Sequence, residues 1–150
     1  MVPDSSIQVN GYKHIQLIVV EEVLNMFRPT QNWADELCRE LTYNGAEGIM
    51  VIKAVDAPSE ISPLGILTLS LEFRNGSCVR AVLAESDQDG DYVIEGSYDV
   101  FMKIFEGKLP AFAAFALGKL RLAKGPLSRL ADYMPLALEI VNKARRAAGF

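Results

Sequence analysis

The segment from Ser97 to Leu122 constrains the fold more than any other stretch of this chain. It holds four of the seven phenylalanines, and Gly107, Pro110 and Gly118 divide it into short pieces. In the first piece, apolar residues recur at helical intervals and predict a helix with one apolar face. They are Val100, Phe101, Ile104 and Phe105. Gly107 is typical of the C-terminal end of such a helix.

A second short helix and a strand complete this segment. Pro110 suits the first turn of a helix, Phe112 and Phe115 lie on one side of it, and Gly118 suits its end. Residues Lys119–Leu122 then alternate between polar and apolar types, which predicts a half-buried strand. Because isolated helices shorter than about 12 residues are marginal in water, we expect both helices to lie against a sheet or around a ligand.

Four strand-like runs precede this segment. Each is rich in β-branched or aliphatic residues, and they cover residues 48–55, 64–73, 78–84 and 92–95. Asn75-Gly76 lies between the second and third runs and predicts a tight hairpin, because both central residues of a type I′ turn need a positive φ. These runs therefore predict antiparallel neighbours.

Two longer helices are predicted on either side of the strands. In residues 30–41, Trp33, Leu37 and Leu41 are spaced by four, and Thr30 is suited to the N-cap. The last helix is predicted to begin at Gly125-Pro126. Its apolar face comprises Leu127, Leu130, Ala131, Met134, Leu138 and Val141, widened by Leu136, Ala137 and Ile140.

Together these elements predict an α+β fold with a mainly antiparallel five-stranded sheet and helices packed on one face. The late strand at 119–122 is expected to lie against an early strand. A chain of 150 residues is most simply one domain. We assign residues 30–150 to this domain and residues 1–29 to an N-terminal extension, whose residues 21–27 favour a helix.

The charge and composition of the chain limit the classes of partner that we expect it to bind. The formal net charge of −4 predicts no general attraction to nucleic acid. The N-terminal residues have no basic region that leads into an apolar run, so we expect no secretory signal. Cys38 and Cys78 have no paired spacing, so we expect two free thiols in a reducing cytoplasm.

Catalytic signals are weak in this sequence. His14 is the only histidine and has no neighbouring nucleophile. Asp87, Asp89 and Asp91 have the spacing of the first three ligands of a calcium-binding loop, but Tyr92 replaces the glycine of the sharp turn. We therefore predict a solvated turn there, and a protein that is not an enzyme and needs no cofactor or metal.

Several motifs carry a family resemblance. Tyr98-Asp99, Gly107–Leu109, Ala114-Phe115 and Gly118–Leu122 occur in the order found in the sterol carrier protein 2 (SCP2) lipid-transfer family. The helix Trp33–Leu41 is similar to one that is common in microbial stand-alone members. The resemblance covers roughly residues 30–148. Where animal members often have glutamine, Phe112 and Leu117 stand here, which makes this wall more apolar.

The resemblance implies an apolar tunnel enclosed between sheet and helices. It implies non-catalytic binding and transfer of a hydrophobic ligand, which could be a fatty acid, an acyl-CoA, a phospholipid or a sterol-like lipid. Transient membrane contact and a homodimer fit the same picture. The residues expected to bind lipid are Phe101, Ile104, Phe105, Phe112, Phe115, Leu130, Met134, Leu138 and Val141.

Two alternatives remain open on the sequence alone. The same side chains could fill a dry core instead of lining a tunnel. The domain would then be an accessory or dimerisation module that supports an enzyme of a lipid or quinone pathway.

Overall fold

The structure is a computed structural model that describes residues 29–126 and 130–150, with side chains from residue 134 in the last range. Residues 1–28 of the proposed extension 1–29, with the helix predicted at 21–27, lie outside the described residues. The helices are α1 (Gln31–Glu40), α2 (Tyr98–Phe105), α3 (Ala111–Ala116) and α4 (Leu130–Ala147). The strands are β1 (Gly48–Val55), β2 (Leu67–Arg74), β3 (Ser77–Ala84), β4 (Tyr92–Ser97) and β5 (Leu120–Lys124).

The five strands form one sheet in the order β3-β2-β1-β4-β5. Three neighbouring pairs are antiparallel, but β1 and β4 run parallel, with Met50 opposite Tyr92 and Val55 opposite Ser97. The α+β fold with five strands is confirmed, and the sheet is mixed. The expected place of the late strand was wrong, since β5 pairs with β4, the strand that immediately precedes it.

The connection between β3 and β4 explains the parallel pair. The backbone N–H of Ile49 donates a hydrogen bond of 2.8 Å to the Asp91 carboxylate, and Lys53 Nζ lies 3.1 Å from Asp87. The connection therefore runs back along β1 towards the start of that strand. Because β4 begins there, it runs in the same direction as β1. A tight hairpin would have reversed the chain instead.

The three aspartates of this connection have separate structural partners. Asp89 accepts a hydrogen bond of 2.8 Å from Lys124 on β5, whereas Asp87 and Asp91 contact β1. The hydrogen bond from Lys124 and one from the Gly90 N–H lower the pKa of Asp89. The segment therefore connects strands as an exposed turn, as its sequence predicts.

The Asn75-Gly76 hairpin is confirmed. Asn75 has φ of 51° and Gly76 has φ of 83°, so both adopt the left-handed conformation that the turn requires. Gly76 also accepts a hydrogen bond of 2.7 Å from the Tyr43 N–H. A Cβ at Gly76 would lie 2.9 Å from the Tyr43 carbonyl oxygen. Glycine therefore allows the segment after α1 to pack against the hairpin.

Helix α1 covers the edge strand β3 through bonds at both of its ends. The side-chain amide of Gln31 donates to the Ala81 carbonyl at 2.8 Å and accepts from the Leu83 N–H at 2.9 Å. At the other end, Cys38 and Cys78 form a disulfide with Cα atoms 5.3 Å apart. The expectation of two free thiols was wrong. These contacts protect an edge that would otherwise expose unpaired backbone groups.

The remaining helices pack over the same face of the sheet. The Ser97 hydroxyl accepts a hydrogen bond from the Val100 N–H at 3.1 Å and caps α2. Helix α3 spans only six residues, with Ala111 and Ala114 buried. Pro126 is not helical, and the described part of the last helix begins at Leu130.

Candidate functional site

An apolar cavity lies between the sheet and the helices. Strands form one side through Met50, Ile52, Ala54, Leu67, Leu69, Leu83, Ile94 and Leu120. The other side comes from Pro29, Trp33, Tyr98, Phe101, Met102, Ile104, Phe105, Ala111, Phe115, Ala137, Ile140, Val141 and Ala144. Among the described residues, no charged side chain lines this cavity. Its lining can hold hydrocarbon but offers little to orient a polar group.

The alternation of the strands explains the sheet side of the cavity. Met50, Ile52 and Ala54 occupy every second position of β1, so their side chains point to one face. Lys53 points to the opposite face, where its ammonium lies 3.1 Å from Asp87. The cavity therefore forms on the face of the sheet that the helices cover.

Trp33 on α1 is fixed by two interactions. Its indole Nε1 donates a hydrogen bond of 3.0 Å to the Ala144 carbonyl on α4. Its ring meets the ring of Phe105 edge to face, with centroids 6.0 Å apart. These contacts join α1, α2 and α4 at the cavity wall, and they bury the indole while satisfying its N–H.

Five of the nine residues expected to bind lipid line this cavity. They are Phe101, Ile104, Phe105, Phe115 and Val141. Phe112 and Leu138 lie outside it and are 60% and 43% exposed. Met134 is half-buried but outside the lining. Leu130 begins α4, and its side chain lies outside the described part.

Helical geometry explains why Phe112 faces outwards. Ala111, Ala114 and Phe115 have the i, i+3, i+4 spacing of one helical face, and they form the inner side of α3. Phe112 is displaced from the centre of that face by about 100° at 3.6 residues per turn. It therefore lies on the solvent side of the same short helix.

The sheet side of the cavity was missed by the sequence reasoning. Residues such as Met50, Ile52, Leu69 and Ile94 carry the ordinary pattern of buried strands. Period-two alternation shows which residues share a face. It does not separate the floor of a cavity from a filled core, so no signal in these strands could have found the site.

The cavity has a volume of about 90 Å³. For comparison, an engineered apolar cavity of about 150 Å³ binds benzene. A long acyl chain can therefore enter this cavity only if the walls of the cavity move apart. Helix α3 is the shortest helical element of the wall, and no side chain caps its N-terminus at Pro110.

The part of the chain that is described contains neither a membrane-spanning helix nor a cluster of metal-binding residues. Its helices include none with the length and apolar character that crossing a membrane requires. Its histidine, cysteine, aspartate and glutamate residues form no group of three or more that could hold a metal ion.

Comparison with known proteins agrees with this architecture. The model of the SCP-2 sterol transfer family matches residues 48–136, which include the whole sheet together with α2, α3 and the start of α4. This chain belongs to the SCP-2 sterol transfer family. The family resemblance found in the sequence is thus confirmed. No curated protein matches the chain.

Two solved structures are similar along most of their length. The solution structure of the conserved hypothetical protein TT1886 from Thermus thermophilus is 28% identical, with a TM-score of 0.70, and the match covers 81% of this chain and 90% of that one. A crystal structure of sterol carrier protein 2 is also 28% identical, with a TM-score of 0.68, covering 77% of this chain and 95% of that one.

Proposed function

We propose that this protein is a non-catalytic carrier of a hydrophobic ligand, with the apolar cavity as its binding site. The candidate ligands are a fatty acid, an acyl-CoA, a phospholipid or a sterol-like lipid. The observation that carries the proposal is the wholly apolar lining between the sheet and α1, α2, α3 and α4. Membership of a sterol transfer family supports it.

The energetics of burial support a hydrocarbon ligand. Each methylene group moved out of water contributes about 0.8 kcal/mol. Ten such groups would give roughly 8 kcal/mol, from which the costs of association and of opening the wall are subtracted. Affinity would therefore come from chain length, because the lining supplies no charged group for a specific polar contact.

Transfer also requires contact with a membrane, and we place that contact on the outer side of α3. The outer patch, which we define as Phe112 and Leu117, is 60% and 65% exposed. Ala111 and Phe115, on the inner face of the same helix, line the cavity. A single helical turn would thus separate the cavity from a bilayer.

Charge complementarity favours an anionic bilayer as the occupant of the outer patch. No aspartate or glutamate occurs between Glu106 and Asp132. The same stretch contains five cationic residues, which are Lys108, Lys119, Arg121, Lys124 and Arg129. This stretch is positive in a chain whose net charge is −4. Three of these cations, Lys108, Arg121 and Lys124, also form surface ion pairs with Glu106, Glu95 and Asp89, which partly offset their attraction to anionic lipid. Apolar side chains near cationic residues are typical of surfaces that insert into anionic lipid.

Native mass spectrometry of the freshly purified protein, paired with analysis of its organic extract, tests the carrier proposal. We expect an adduct of lipid mass that leaves on denaturation. After removal of lipid, added dodecanoic acid should change the fluorescence of Trp33, the only tryptophan of the chain. A protein that carries no lipid and takes up none would overturn the proposal.

Two phenylalanines of α3 offer a matched pair of variants. Phe115→Asp would place a carboxylate in the cavity wall, and we expect it to abolish uptake of dodecanoic acid. Phe112→Asp makes the same chemical change on the exposed side and should retain uptake. Thermal melting of both variants separates loss of the site from loss of the fold. Equal uptake by the two would contradict the assignment of the cavity.

The small cavity volume also supports a second candidate function. A cavity of about 90 Å³ is smaller than the engineered cavity of about 150 Å³ that binds benzene, which would suit an accessory or dimerisation module that supports a lipid-pathway or quinone-pathway enzyme. A stable homodimer without extractable lipid would favour this alternative. Sedimentation analysis of the purified protein distinguishes it from a lipid-loaded monomer.

A further inference from the structure

The cations near the end of α4 differ in how they are paired. Lys143 and Arg146 both lie near the Glu40 carboxylate on α1, at 3.8 Å and 3.7 Å. Arg145 forms no ion pair with any described residue. Its Nε is buried and has no hydrogen-bond acceptor among them. A buried donor without an acceptor costs free energy, so this group calls for an explanation.

The position of Gly107 shows where the guanidinium lies. A Cβ built on Gly107 would be 3.1 Å from Arg145 Nη2 and 3.6 Å from its Cζ. Gly107 has φ of 78°, a conformation that favours glycine. The absence of a side chain there lets the guanidinium approach the backbone just beyond the end of α2.

Arg145 is not part of the lining of the apolar cavity, and it faces an open pocket beside Asn142 and Phe150, but its neighbours on α4 do line the cavity. Val141 and Ala144, which lie four and one positions before it on α4, line the cavity. Phe105, two positions before Gly107, lines it as well. The guanidinium therefore lies beside Gly107 at the end of α2, next to residues of α2 and α4 that line the cavity. Its positive charge is close to a lining that has no charge of its own.

We propose that Arg145 binds the anionic head group of the carried lipid, while the hydrocarbon chain occupies the cavity. A carboxylate or a phosphate oxygen would supply the acceptor that Nε lacks. A guanidinium can hold either group through two parallel hydrogen bonds. This inference rests on the proposed carrier function, and it narrows the ligand to a lipid with an anionic head.

Ligands that share one chain and differ only in the head group test this proposal. Dodecanoic acid, dodecyl phosphate and dodecanol would be titrated against the protein and followed by Trp33 fluorescence. We expect at least one of the two anions, dodecanoic acid or dodecyl phosphate, to bind at least tenfold more tightly than dodecanol. The relative affinities of dodecanoic acid and dodecyl phosphate show which head group the site prefers.

Variants of two neighbouring arginines show which residue causes the preference for an anionic head group. Arg145→Met should remove the preference for the anion and leave the affinity for dodecanol unchanged. Arg146→Met, which removes a cation paired with Glu40, should keep the preference. If Arg145→Met does not fold, NMR of the Arg145 Nε–H in the wild-type protein replaces it, and its resonance should move with dodecanoic acid but not with dodecanol.

The outcomes separate this inference from the function on which it rests. Equal affinity of wild-type protein for the anions and the alcohol would overturn the role of Arg145 and retain the carrier. Absence of binding by all three ligands would overturn the carrier as well. If Arg145→Met lowers the melting temperature but keeps the anion preference, the residue serves only to stabilise the end of α2, and the proposal fails.

Discussion

The indole Nε1 of Trp33 donates a hydrogen bond to the carbonyl oxygen of Ala144, across 3.0 Å and 111 positions of sequence. This bond connects the first described helix to the last one, and both residues line the apolar cavity. A wall that opens between α1 and α4 would have to break it. The indole is therefore well placed to report on opening as well as on occupancy.

The Cys38–Cys78 disulfide should contribute substantially to stability. It closes a sequence separation of 40 residues, and a native disulfide of this kind typically contributes about 2–4 kcal/mol. We expect dithiothreitol to lower the free energy of unfolding, measured with urea, by an amount in that range. The double variant Cys38→Ser, Cys78→Ser should show the lower stability without a reductant and should not respond to dithiothreitol.

A reductant that leaves wild-type stability unchanged would contradict this prediction. Titration of free thiols in the purified protein provides an independent control. The result also bears on location, because disulfides persist in oxidising compartments and are rare in a reducing cytoplasm. The expectation of a cytoplasmic protein rested partly on free thiols.

Filling the cavity should weaken uptake without loss of the fold. Ala137 on α4 is half-buried and lines the cavity. Ala137→Leu adds three carbon atoms at that wall, and we expect it to reduce the affinity for dodecanoic acid at least tenfold, or about 1.4 kcal/mol. The melting temperature should stay the same or rise, because a void is replaced by packed atoms.

Ala116→Leu is the matched control, since Ala116 is exposed and outside the lining. It adds the same atoms and should leave uptake unchanged. Unaltered uptake by Ala137→Leu would place the ligand elsewhere. Calorimetry of both variants, with and without dodecanoic acid, provides the measurement.

Removing the outer patch should weaken binding to membranes. We expect the double variant Phe112→Gln, Leu117→Gln to bind vesicles of phosphatidylglycerol and phosphatidylcholine at least tenfold more weakly than wild type, because two apolar side chains no longer enter the interface. Uptake of dodecanoic acid in solution should be retained. Flotation of protein with vesicles measures the binding, and added salt should weaken it further.

Two exposed aliphatic residues elsewhere provide the control. Leu64 and Val79 are 75% and 52% exposed, and neither belongs to α3. The double variant Leu64→Gln, Val79→Gln should bind vesicles as wild type does. If both double variants lose binding equally, contact is not localised to the outer patch. A change of the first variant from dimer to monomer would assign the patch to self-association.

The sequence predicts the elements well because local patterns define them. The run Gly48–Val55 coincides with β1, and Thr30 caps α1 by accepting from the Trp33 N–H at 3.1 Å. Asn75-Gly76 forms its turn because its φ requirement is local. The parallel pairing of β4 with β1 could not be predicted in this way, because it depends on the path of the 85–91 connection over the sheet.

The site is harder to predict because it depends on which apolar faces meet. Helix α4 is apolar on two sides, and the periodicity does not say which side faces the sheet. The sequence favours the stripe through Leu138 as the inner face, whereas Leu136 and Ile140 are buried in the structure. The cysteine pair was missed for a similar reason, since only the packing of α1 on β3 brings Cys38 to Cys78.

The central place of β1 has a further consequence for motion. Because β1 is hydrogen-bonded to β2 on one side and to β4 on the other, those of its amide protons that bond to these strands can exchange with solvent only when the sheet itself opens, at a cost near that of global unfolding. The helices that cover the opposite side of the cavity are not part of this hydrogen-bonded ladder. If the protein carries a lipid as we propose, we expect the lipid to enter when the helices of the wall move apart, while the strands beneath stay protected.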